Sequence, residues 1–165
     1  MTEIVRKELD ALDLLMQDHR EMESLFRDFQ YLQQNRQSTA GVIANACAEL
    51  RILDTLQTEI FYASVSEATD DSDDVIDGLL EEAEEGHDTF LELMAKVQQT
   101  PADHDRRDAD FTILAEHVKQ HVLGDERDLF PLVKKLKRLD LDAITDAMKK
   151  RKAELIAEMG ITTGA

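Results

Sequence analysis

Three histidines, His19, His87 and His121, each fall in a separate stretch of helical periodicity, and Asp125 follows the last of them by one turn. Imidazoles converging from different helices, with a carboxylate four residues from one of them, are the donors a first-row transition metal takes from a bundle core. The spacing therefore points to a metal site. His117, His121 and Asp125 step by four along one stripe, because residues four apart on a helix share a face. Glu126 lies about 100° further round and competes with Asp125 as a ligand. His117 is read as a polar residue at the edge of the bundle and His104, in PADHDRRD, as a solvated loop residue. Tyr62 is read as core packing with a polar handle; a phenolate ligand is the alternative, which an unbroken helix disfavours by putting Tyr62 about 180° from Leu53. The same histidines also admit a metal-free reading, in which they are buried polar groups bonded to Asp125, Gln57 or one another.

Long amphipathic helices must position these side chains. Leu12, Leu15, Met16, Met22, Leu25, Phe26, Phe29 and Leu32 recur at spacings of three and four, predicting one helix over 9–32. A polar gap follows, and Ser38 or Thr39 is expected to cap a second helix carrying Val42, Ile43, Ala46, Leu50, Leu53, Leu56, Ile60 and Phe61. Acidic sequence from Glu67 to Asp74 reads as a loop, with an Asp capping a third helix before Val75. That helix runs on through Phe90, Leu91, Met94 and Val97. A fourth begins near Phe111, and Pro131 predicts a kink or restart late in it. A basic segment with Leu141, Ile144, Met148, Leu155 and Met159 closes the chain, and Gly160 is its expected stop. The pattern predicts an all-α protein: an up-down-up-down four-helix bundle over about 9–138, with an additional C-terminal helix over about 140–159.

The chain of 165 residues is the length of one domain with a substantial core. A formal net charge of -17 argues against a nucleic-acid or anionic-membrane partner and favours a small or cationic ligand. The single cysteine, Cys47, has no partner for an internal disulfide and lies in an apolar pattern, as expected of a reducing compartment. The opening MTEIVRKELD has no apolar leader, and no stretch is long enough to cross a membrane, so a cytoplasmic location is expected. No Ser-His-Asp set, phosphate loop or dinucleotide fingerprint is present, so any catalysis would belong to the metal.

The segments LLMQDHREMESLFRDF, ELRILDTLQTEIFYASV, EEAEEGHDTFLELM and HVLGDERDLFPLVKKL resemble, in order, the four helices of the hemerythrin-like, or HHE cation-binding, family, and LDLDAITDAMKKRKAEL is similar to its C-terminal helix. The resemblance implies a hemerythrin-like bundle with a non-haem iron site, oxygen, nitric oxide or peroxide as ligand, and His19, His87, His121 and Asp125 as metal ligands. Asp125 is one methylene shorter than the family's usual Glu. Aligned on the same resemblance, Leu53 stands where a helix-two His belongs and Gln57 where a bridging carboxylate belongs. Two ions about 3.5–4 Å apart need anionic bridges against their mutual repulsion, so a single iron or zinc, or no metal, is expected in place of a pair. Sensing or metal buffering then fits better than reversible dioxygen carriage. The alternative is a metal-free bundle that serves as an interaction or regulatory module.

Overall fold

The computed structural model describes residues 8–70 and 73–160. Residues 1–7 of the opening MTEIVRKELD and Asp71 of the acidic run lie outside the described residues. Helix α1 (Ala11–Gln34) opens with a capping box: Asp10 accepts from the Asp13 N–H at 3.0 Å, and Asp13 accepts from the Asp10 N–H at 3.1 Å. Two otherwise unpaired donors at the helix start are thereby satisfied. Its buried stripe is Leu12, Leu15, His19, Met22, Phe26 and Phe29.

The second rod begins as α2 (Ala40–Thr55), widens into a π turn (Leu56–Phe61) and continues without a break as α3 (Tyr62–Ala68). Thr39 takes the predicted N-cap position, but its hydroxyl donates to Asp108 Oδ1 at 2.6 Å and leaves the helix start uncapped. Ser38 likewise donates to Asp103 at 2.6 Å and accepts only a long 3.4 Å bond from the Ala40 N–H. A carboxylate acceptor outcompetes a backbone amide for these hydroxyls. The acidic loop is shorter than predicted, because Glu67 belongs to α3 and Asp74 already opens α4 (Asp74–Gln99).

Helix α5 (Asp105–Gly124) leads through a second π turn (Asp125–Leu129) into α6 (Phe130–Val133). Pro131 follows this π turn directly. Proline cannot donate to the carbonyl four residues back and its ring crowds that carbonyl, so the ladder loosens at the predicted place without a break in the rod. Helix α7 (Leu141–Met159), capped by Asp140 and ended by Gly160 at φ 64°, packs against α1 and the second rod. Lys152 ties it to Asp18 at 2.8 Å.

Helix α1 packs on α2 and α5, and α4 packs along α5, giving the four-helix bundle with an extra C-terminal helix; no strand occurs among the described residues. No helix among them is long and apolar enough to cross a membrane. The core has an apolar level, where the Phe111 ring meets Phe26 and Phe29 edge-on at 5.8 and 4.7 Å. A polar level lies among Phe61, Phe90 and Phe130, and the sequence-selected histidines are found there. Phe111→Ala is expected to cost about 3–5 kcal/mol in urea denaturation, because the cavity cannot close around two fixed rings. Tyr31→Ala, at a position 64% exposed, should stay within about 0.5 kcal/mol of the parent.

Candidate metal centre

Each rod sends at least one polar side chain into this level. His87 of α4 and His121 of α5 meet with their Nε2 atoms 3.1 Å apart. Asp125, one turn beyond His121, places Oδ2 3.1 Å from the His121 Nε2. The Tyr62 hydroxyl stands among the three, donating to Asp125 Oδ2 at 2.7 Å and lying 3.2 Å from His87 Nε2 and 3.0 Å from His121 Nε2. Gln57 donates from Nε2 to the same Asp125 oxygen at 3.3 Å. His19 of α1 is wholly buried at the edge of this group, stacked on the Phe130 ring, and its Nδ1 bonds Glu126 at 3.1 Å.

The position of Tyr62 corrects the sequence-based one. An unbroken α-helix turns it away from Leu53, but the π turn bonds the Tyr62 N–H to the Gln57 carbonyl five residues back. Residues five apart then share a face, so Leu53, Gln57 and Tyr62 line one buried stripe. The fourth rod does the same: the Asp125 N–H reaches the His121 carbonyl four back, and the Phe130 N–H reaches that of Asp125 five back. His121, Asp125 and Phe130 therefore all point inward. Glu59, by contrast, remains exposed and pairs with Arg151. The sequence signal for a π turn is weak, since nothing in LQTEIF forces the extra residue.

Protons can be assigned from the partners. A carboxylate only accepts, so His87 donates from Nδ1 to Asp54 Oδ1 at 2.8 Å and His19 donates from Nδ1 to Glu126. Both rings are thereby fixed with Nε2 as a bare lone pair. Burial pushes the pKa of each below the ordinary histidine value, against the opposing pull of Glu126 on His19 and of Asp54 on His87, which keeps both neutral. Burial, and after it Asp125, hold the Tyr62 phenol well above its ordinary value. Arg20 pairs with Glu126 from the outside. His19 Nε2 and Gln57 Oε1, both acceptors, are buried and meet no hydrogen-bond donor.

The fit to a metal depends on the number of ions. A pair does not fit, because Leu53 has no donor atom, Gln57 offers only a neutral amide and Asp125 is the sole carboxylate among the inner donors. One ion fits better: with bonds of about 2.0–2.1 Å, neighbouring corners of a tetrahedral shell lie about 3.3 Å apart. The His87–His121 and His121–Asp125 atom pairs are each 3.1 Å apart. Such a shell needs a further donor, because among the described residues no group of three or more His, Cys, Asp and Glu side chains is placed to hold a metal ion by itself. Asp125 and Glu126 both enter the site in separate roles, the one among the inner donors and the other behind His19. His117 is exposed and lines the mouth of a cleft beside His121. His104 is an exposed loop residue that also serves as the N-cap of α5, accepting from the Arg106 N–H at 3.1 Å.

A cleft of about 250 Å³ between α4 and α5 reaches this level, lined in part by Glu82, Gly86, His117, His121, Asp125 and Asp128. The His121 and Asp125 side chains are 8% and 6% exposed, against 0% for His19 and 1% for His87, so the cleft touches only one side of the group. Gly86 makes room for the His121 ring, since a Cβ there would stand 3.0 Å from its Nδ1. Gly86→Ala gains helix propensity worth about 1 kcal/mol but presses on a ring held by three polar partners. It should melt below Gly78→Ala, whose added methyl meets nothing within 4 Å; equal melting temperatures would show that His121 moves freely.

Comparison with curated proteins and with solved structures returned no match. A family profile, the hemerythrin HHE cation binding domain, matches residues 10–133, which span all four rods and every residue of the polar level. With most of its length matched, this chain belongs to the hemerythrin HHE cation-binding family.

Proposed function

We propose that this chain binds a single divalent cation, iron or zinc, in the bundle core, through His87, His121 and Asp125, with His19 on the α1 side. The observation that carries this reading is the pair of outer carboxylates: Asp54 and Glu126 each take the Nδ1 proton of a buried histidine. Metal-ligating imidazoles are held in this way, with the second nitrogen bonded to a carboxylate that fixes the tautomer and raises ligand basicity. The unpartnered acceptors His19 Nε2 and Gln57 Oε1 support a positive charge at the same level. When bound, the ion supplies a Lewis acid and, if iron, a one-electron couple.

The cleft of about 250 Å³ onto His121 and Asp125 has room for a diatomic molecule or peroxide. Reduction of dioxygen to bound peroxide takes two electrons, more than one ferrous ion readily gives, so the proposed role is sensing or metal buffering in place of oxygen carriage. The buried, unpaired Cys47 supports a cytoplasmic setting. One observation favours a metal-free module instead. His121 can donate from Nε2 to His87 while Tyr62 donates to Asp125, which closes that part of the network without an ion.

Elemental analysis of protein purified without chelator separates the two. One ion per chain is expected, with a melting temperature that rises with added metal, since a ligand held only by the folded state stabilises it by about 2.7 kcal/mol at 100 times Kd. His121→Ala should abolish binding and His104→Ala leave it unchanged. Asp54→Asn should weaken it by about 10–100-fold through the loss of the outer bond to His87. No metal and no thermal shift would leave the metal-free module standing, and two ions per chain would overturn the account of the second rod.

A further inference from the structure

We infer that Tyr62 is the second rod's metal ligand, its phenolic oxygen serving where the rod's own expected positions hold Leu53 and Gln57. The inference rests on the single-cation reading and names the fourth donor that the reading lacks. Five of the six separations among Tyr62 Oη, His87 Nε2, His121 Nε2 and Asp125 Oδ2 lie between 2.7 and 3.2 Å, and the sixth, His87 Nε2 to Asp125 Oδ2, is beyond ion-pair reach. The five are close to the edges, about 3.3 Å, of a four-coordinate shell, which the sixth must shorten to complete. The four atoms come from the second, third and fourth rods, and each belongs to a side chain that is buried or nearly so.

Two further features single out the hydroxyl. Phe would fill the same volume, whereas the hydroxyl, its proton given to Asp125, still sets its oxygen 3.2 Å from His87 Nε2 and 3.0 Å from His121 Nε2. The rod also departs from α-helical register immediately before this residue, and only that departure brings the oxygen inward. Charge leads to the same place: a divalent ion in an apolar core needs compensating anions, and Asp125 is the one carboxylate among the inner donors. Phenolate is a second anion and a hard oxygen donor suited to iron or zinc. On coordination the O–H bond is replaced by an O–metal bond, and the proton passes to buffer.

The full chain and Tyr62→Phe, loaded with ferrous iron and oxidised in air, test this by colour. A ferric phenolate gives a visible charge-transfer band and enhanced phenolate ring modes in resonance Raman spectra; both are expected in the wild type and absent from the variant. Zinc affinity by competition should fall on the order of 10–100-fold in Tyr62→Phe. If the wild type binds iron without the band and the variant binds zinc equally well, Tyr62 is not a ligand and the single-cation reading stands. If the wild type binds neither metal, that reading fails and this inference fails with it. Should the variant not fold, the wild-type spectrum alone decides.

Discussion

Burial of polar groups without water is the constraint on which the middle of this bundle is built. Imidazoles, a carboxylate, an amide and a phenol occupy a level that in most bundles is aliphatic, and a buried polar atom without a partner costs about 1–3 kcal/mol. Two rods give up α-helical register to meet the demand. The turn at Leu56–Phe61 swings Tyr62 onto the stripe of Gln57, and the turn at Asp125–Leu129 keeps Phe130 in line with His121 and Asp125. Single π turns inside helices are a recurrent mark of functional sites, and here they face one another across the core.

Around that level the charges are arranged in two shells. The inner donors are His87, His121, Asp125 and Tyr62, whereas Asp54 and Glu126 stand behind His87 and His19 with their carboxylates partly exposed. An outer carboxylate orients a ring without paying the full desolvation of an inner one. Arg20 then neutralises Glu126 from the solvent side. With Leu53 and Gln57 on the second rod, this level is still not a plain hydrophobic core. It is asymmetric in composition and in access, with His121 and Asp125 at the cleft and His19 and His87 sealed behind them.

Access and rigidity come from the same two helices. Gly86 on α4 lets α5 bring the His121 ring close, and the resulting cleft is lined by acidic side chains that favour a cationic or neutral visitor. Among the described residues, carboxylates accept from Nδ1 of His19 and His87 but not of His121, so of the three histidines it is the one whose tautomer is not fixed from behind.

Much of this was legible in the residue order. Periodicity at three and four placed the rods, Gly160 and Pro131 marked a stop and a loosened turn, and the i, i+4 spacing of His121 and Asp125 put both on one face. Equally visible was that Leu53 and Gln57 give the second rod no anionic side chain at this level. The role of Tyr62 was not, because rotation about a helix is summed residue by residue and one inserted residue reverses the answer. Nor were the tautomers of His19 and His87, which depend on carboxylates 107 and 33 positions away. Sequence determined which donors are present and on which rods, through local propensity and spacing. Only packing decided which atoms touch, since helical register and proton position are settled by partners distant in the chain.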